Sequence, residues 1–452
     1  TYYMATTRSL IDYGAINLTK LTNTQTASLE VIQNNAMRLM QGAPMWTRIC
    51  NLQAESNLPP LATRIKIKNT HTITKTLLQR PNSLLAKRVN EDLNMHPELA
   101  KPNNYASTLG SCIKHCNLET TLKNIKADIP SNVLQAPAPW EDFPAIIHYT
   151  QLPAGKNNCS TATLKNYAER SISSVEKPNS AIYYTDGSVD PATGKSGAGV
   201  YSQKLTASWR TSNSCSTLQT ELTAIKLTLN FSITQDDTDI VIHTDSKSSL
   251  QALQNRRPKE NVILIKQIIN LLCLHKGRGK QVTLNWIPSH IGIYGNDQAD
   301  KLAKESIISN SITSIIQPSL SQYKGLTKSI PRRDILQHLN YWVDNLSASA
   351  QWYKNTTNLT PPPTDKFTPR DVAVMAARLR LGYLSCWEVI QPINPQKCKH
   401  CEVIPPFSLL HYLLECPSTH TFRANLGVLV DSHHTEAKKT CYQSCPKHTK
   451  QS

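Results

Sequence analysis

The spacing of apolar and polar positions changes character several times along the chain. Residues 5 to 67 carry helical periodicity. In LEVIQNNAMRLM (29 to 40), Leu29, Ile32, Ala36 and Leu39 recur on one face with Arg38 opposite, and QGAP then supplies a glycine-proline stop. From 86 to 175 no period persists and prolines interrupt the chain, as in QAPAPWEDFP (135 to 144). From 181 the pattern sharpens. AIYYTD predicts a strand, ended by a turn at TDGS. SGAGVYSQ and TASWRT predict two more strands. TLQTELTAIKLTLN (217 to 230) predicts a helix with Leu218, Leu222, Ile225 and Leu229 on one face. DIVIHTD is a short apolar strand, SKSSLQAL and NVILIKQIINLLCL are helices, VTLNWIP is a strand, and NDQADKLAKES is a helix capped by Asn296. The order β-β-β-α-β-α-α-β-α predicts an α/β domain built on a mixed five-stranded sheet with helices packed on it.

These shifts divide the chain into a helical region at 1–85, a linker at 86–175, the α/β domain at 176–310 and a second linker at 311–370. A helix with a Cys/His segment follows at 371–425, and a basic tail at 426–452.

Composition narrows the function. The 452 residues carry a formal net charge of +17 and a pI near 9.3, which favours a polyanionic partner such as nucleic acid. The α/β stretch 181 to 306 holds 14 Lys and Arg against 11 Asp and Glu, so most of the excess lies in its flanks. No run of 18 apolar residues suggests a membrane span, and TYYMATTRSL lacks a signal-peptide layout. An intracellular location, nuclear or cytoplasmic, is expected. Twelve cysteines over this length fall below the density of a disulfide scaffold and read as reduced thiols. A start on Thr1 suggests a piece of a longer product.

The candidate chemistry is a set of carboxylates. Asp186 and Asp245 end apolar strands, Glu221 lies one turn into the following helix, and Asp300 lies early in the last helix. Adjacent strands would put like charges side by side, which is unfavourable unless cations neutralise them. Hard divalent ions with oxygen ligands do this, Mg²⁺ above all with Mn²⁺ as an alternative. Two such ions about 3.5–4 Å apart suit in-line hydrolysis of a phosphodiester. His290, in the glycine-bearing loop PSHIGIYG, is placed to carry a proton. Taken singly, each acid reads more simply as a turn residue or a solvated helix acid, and His290 as a plain loop residue. Jointly those readings leave unexplained why all four acids fall at strand ends or early helix turns of one unit.

TDGS (185 to 188), TELTAI (220 to 225), HTDSKSSLQAL (243 to 253) and WIPSHIGIYGNDQADKLAKE (286 to 305) together make residues 181 to 306 resemble a type 1 ribonuclease H domain. The resemblance implies an RNase H-like fold, with Asp186, Glu221, Asp245 and Asp300 as metal-binding carboxylates and His290 as the loop histidine. It also implies cleavage of the RNA strand of an RNA–DNA hybrid. Family members with a basic handle carry a longer insert than NRRPKEN (255 to 261) and HKGRGK (275 to 280) provide here. Phosphate contacts are therefore expected largely from the flanks.

Near the end, Cys398, Cys401, His411 and Cys416 are spaced C-x2-C-x9-H-x4-C, a tetrahedral zinc pattern, with His400 as a substitute ligand. The competing reading is buried thiols and a core histidine. Cys441, Cys445 and His448 make a weaker group. With AARLRLGYLS upstream, this segment resembles the C-terminal region of open reading frame 2 proteins of jockey-like non-LTR retrotransposons. RSLIDYGA, LEVIQNNAMRLMQGAP and ESNLPPLATR resemble the stretch after the polymerase palm in those reverse transcriptases. The palm itself requires a Tyr-x-Asp-Asp turn. Asp236–Asp237, the lone Asp-Asp pair, has the wrong context, so DNA synthesis by this chain is not expected. The sequence thus supports a hybrid-specific endoribonuclease, with a non-catalytic nucleic-acid-binding remnant of a retroelement as the alternative.

Overall fold

A computed structural model describes residues 2–94, 105–129, 140–255, 258–360 and 369–383, together with 397–398, 400–404, 411 and 416–421. The chain forms two compact units. One comprises 1–72, 91–120 and 327–452, and the other 73–90 and 121–326.

The second unit holds one six-stranded sheet. Its strands are β1 (Ile146–Tyr149), β2 (Ala181–Val189), β3 (Ser196–Tyr201), β4 (Thr206–Thr211), β5 (Asp239–Thr244) and β6 (Gln281–Trp286). Their order across the sheet is β1-β6-β5-β2-β3-β4. In that order the first four are mutually parallel, β3 pairs antiparallel with β2, and β4 antiparallel with β3. The helices with the sheet, numbered in chain order, are α1 (Thr161–Val175), α2 (Thr217–Ser232), α3 (Lys247–Gln254), α4 (Val262–Gly277) and α5 (Tyr294–Ile308). Between 181 and 308 the element order is the expected one, and the α/β, RNase H-like fold is as expected.

The apolar pattern explains the core. Tyr183, Ala198, Leu222, Ile225, Leu229, Ile242, Ile268 and Leu284 are buried in one cluster between the sheet, α2 and α4. Burial of each Leu or Ile contributes roughly 1.5–3 kcal/mol. The opposite face is covered by α1, whose Leu164 and Ala168 meet Ile287, Ile291 and Ile293. With both faces of the parallel strands covered, their continuous apolar runs are accounted for.

Three expectations need correction. The sheet has six strands, because the stretch 86–175 read as a linker supplies β1 and α1. β1 is only IIHY, too short for its periodicity to register, and its pairing with β6 fixes it as a strand. The stretch 311–370 also carries helices, including Ile330–Asp344 and Ala348–Thr357. Their Ile335, Leu339 and Tyr353 pack with Met37 and Leu52 in the core of the first unit. Finally, the helix Asn23–Gln41 buries Gln33, Asn34, Met37 and Gln41, while Ile32 and Leu39 are exposed. The two glutamines are tolerated inside because their amide nitrogens are paired: Gln33 Nε2 donates to the Pro59 carbonyl at 2.9 Å and Gln41 Nε2 to Ser56 Oγ at 2.6 Å.

Candidate active site

β2 does not turn at TDGS. It runs on to Val189, and the chain reverses over Asp190–Gly194, where Gly194 has φ +69°. Asp186 therefore lies within a strand, at the point where β5 has just ended. Thr185 pairs with Thr244, so Asp245, the next residue of the shorter strand, emerges beside Asp186. Gly187 has a steric reason. A Cβ there would lie 2.4 Å from Thr220 Oγ1 and 2.5 Å from the Glu221 nitrogen. Only glycine lets α2 approach the strand this closely, and the approach brings Glu221 to Asp186. Ser216 caps α2 with a capping box, which fixes where the helix starts and so where Glu221 falls. Gly199, opposite Asp186 on β3, does the same for α5: a Cβ would sit 2.3 Å from the Ala299 carbonyl oxygen.

The result is a compact trio. One carboxylate oxygen from each of Asp186, Glu221 and Asp245 lies within 4.8 Å of the other two. Burial, the Asp245 charge and a hydrogen bond with Asp300 push the Asp186 carboxyl up to about 8. Burial and the charges of Asp186 and Asp245 raise Glu221 well above the ordinary range. Asp245 is raised by burial, against which the Asn296 amide and the charges of His290 and Lys156 act. Glu221 Oε2 is buried without a hydrogen-bond partner.

Asp300 stands at the margin of this trio. It hydrogen-bonds Asp186, but its Oδ2 also accepts from Lys304 Nζ at 2.6 Å, and it is outside the 4.8 Å cluster. His290 is exposed, has φ +56°, and acts electrostatically on Asp245. The five residues singled out in the sequence thus lie at one end of the sheet, three in mutual contact range and two beside them.

Residues 178–308 match the family model described as RNase H. The chain carries an RNase H domain. The match covers all five of these residues and stops short of β1 and α1. Domains of this family generally act on RNA–DNA hybrids with Mg²⁺, and the residues present fit that ion. Three hard oxygen donors converge, all resist ionisation without a cation, and one buried oxygen lacks any partner.

Two neighbours of the carboxylates escaped the sequence reading. Asn296 is not the cap of α5. Ile293 holds that position without a side-chain bond, and Asn296 is the third residue of the helix, buried in its first turn and bonded to Asp245. Lys156 comes from the loop after β1, where no pattern pointed to a site. Its Nζ lies 2.5 Å from Ser289 Oγ.

The first unit carries a second cluster. Ligand atoms of Cys398, Cys401, His411 and Cys416 lie within 4.8 Å of one another, with Cys401 Sγ 3.0 Å from His411 Nε2 and Cys398 Sγ 3.9 Å from Cys416 Sγ. The backbone N–H groups of His400 and Cys401 turn towards Cys398 and, with the neighbouring side chains, lower its thiol to about 6. The set is compatible with zinc. His400 is outside it, its carbonyl accepting from Ser418. Cys441, Cys445 and His448 lie outside the described residues. No described helix is long and apolar enough to cross a membrane.

Proposed function

We propose that the chain is an endoribonuclease that hydrolyses the RNA strand of RNA–DNA hybrids, leaving a 3′-hydroxyl and a 5′-phosphate. The observation that carries this reading is the trio of buried Asp186 and Glu221 with half-buried Asp245 inside the matched segment. These three residues, with Asp300 completing the set, would hold two Mg²⁺ ions. When bound, the ions supply Lewis acidity to the attacking water and to the leaving oxygen. Asn296 orients the Asp245 carboxylate through its amide. Lys304 holds Asp300 beside Asp186. His290, exposed at the rim, delivers a proton to the departing 3′-oxygen and withdraws with product. Recognition of 2′-hydroxyls selects the RNA strand.

The Cys398, Cys401, His411 and Cys416 set holds one structural zinc. The sequence resemblances at both ends support a place for this chain in a retroelement reverse transcriptase polyprotein.

A labelled RNA–DNA hybrid, incubated with Mg²⁺ and either the wild-type chain or Asp245→Asn, tests the nuclease reading. RNA-strand cleavage is expected for the wild type, with a loss of at least about 10²-fold in the variant. Equal binding and no cleavage by either protein would replace this reading with a binding-only role.

A further inference from the structure

The segment just before the matched domain has a geometry of its own. β1 runs parallel to β6, so its carboxyl end opens at the same edge of the sheet as those of β5 and β6. That edge is where open α/β sheets gather ligand loops. The loop from β1 to α1 there lies against the loop that carries His290. Lys156 Nζ reaches Ser289 Oγ, the residue before His290. Lys165 Nζ sits 3.8 Å from the position of a Cβ on Gly292, two residues after His290. Beneath them, Leu164 and Ala168 are buried against Ile287, Ile291 and Ile293 and hold the His290 loop to α1. Gly292, at φ +76°, and His290, at φ +56°, give that loop its tight course.

The pairing of the two lysines matters. Lys177, Lys204 and Lys304 each meet a carboxylate closely, on Asp239, Asp237 and Asp300. Among the described residues Lys156 forms no ion pair; it touches the neutral Ser289 hydroxyl and acts at longer range on Asp245, and Lys165 has a loose, exposed pair with Glu169 at 4.0 Å. Two extended cations beside a rim histidine, neither neutralised tightly, suit a phosphate.

We propose that the segment 146–175 is a working part of the nuclease, with Lys156 and Lys165 gripping backbone phosphates of the hybrid next to the His290 loop. This rests on the nuclease reading for its ligand. It gives the hybrid a cationic wall from a segment outside the matched domain, in a chain whose inserts are too short for a basic handle. α1 serves both as the support of the His290 loop and as the carrier of one of the two cations.

The test is equilibrium binding of a fluorescent RNA–DNA hybrid to the full chain in EDTA, across a salt series, so that cleavage plays no part. Lys156→Gln removes the charge and keeps a polar, slightly shorter side chain facing the Ser289 hydroxyl. It is expected to weaken binding roughly two- to fivefold and to lower the slope of log affinity against log salt by about 0.7–0.9. Lys156→Arg restores the slope. Lys165→Gln lowers it similarly. Lys204→Gln, at the opposite end of the sheet, leaves it unchanged. A purely structural role for Lys156 would change the melting temperature and not the slope. An unchanged slope in Lys156→Gln and Lys165→Gln, or no hybrid binding by the wild type, overturns the proposal. Wild-type binding without cleavage in Mg²⁺ overturns the nuclease reading alone, and the slopes still decide this one.

Discussion

Asp186 shows what a single side chain is made to do by its surroundings. It is almost fully buried beside two other carboxyls, and it keeps its proton up to about pH 8. An unfolded Asp releases that proton near 4. Below that value both states are protonated and nothing is lost. Between about 4 and 8 the unfolded chain ionises first, so the metal-free fold loses stability as pH rises. Asp186→Asn removes this penalty. In EDTA the variant is expected to melt higher than the wild type at pH 8 and nearly equal to it below about pH 4, with a gain of about 2–4 °C per kcal/mol of repulsion relieved. Added Mg²⁺ or Mn²⁺ should raise the wild-type melt at pH 8 and move the variant much less. Equal melting curves at pH 8 would show that the trio is not strained. The identities of the acids were legible in the sequence because strand and helix patterns flanked them. The partners were not. Asn296 looked like a cap, and its contact with Asp245 depends on how α5 leans on β3.

Among the elements, closeness of helix to strand decides the site. Gly187 and Gly199 remove the two Cβ atoms that would hold α2 and α5 away from the sheet. Gly187→Ala is expected to cost about 1–3 kcal/mol from overpacking. It should also displace Glu221, so that divalent-ion affinity falls more than stability alone explains. Calorimetric Mg²⁺ titration beside thermal melts checks this, and unchanged affinity would contradict it. The helix from Asn23 to Gln41 illustrates where pattern reading fails. Its apolar positions predicted one buried face, but Gln33 and Gln41 turn inward because backbone carbonyls and a serine are there to receive them. Periodicity registers hydrophobicity and is blind to such partners. β1 was missed for a related reason: four residues carry too little pattern, and it is the vacant edge of β6 that makes them a strand.

Among the described residues, each of the two units carries one constellation of metal-binding type, carboxylates in the sheet unit and Cys/His in the other. The two call for different ions, since oxygen donors favour Mg²⁺ and thiolates favour Zn²⁺. Metal analysis of the purified chain is expected to give roughly one zinc, retained in moderate salt and lost in Cys398→Ser. Zinc-free wild-type protein, or full zinc in the variant, would remove that site.

The sequence by itself determined the element order from 181 to 308, the four acids, His290 and the Cys/His spacing. Each is a local signal: an apolar strand ending in Asp, a capped helix, a pair of cysteines two residues apart. Tertiary structure alone decided which acids meet, that β2 passes through TDGS without turning, that Asn296 serves Asp245, and that the stretch before 178 joins the sheet. Those outcomes depend on register between β2 and β5, on the space left by two missing Cβ atoms, and on an edge strand paired to β6. None of these is a property of any short stretch of the chain.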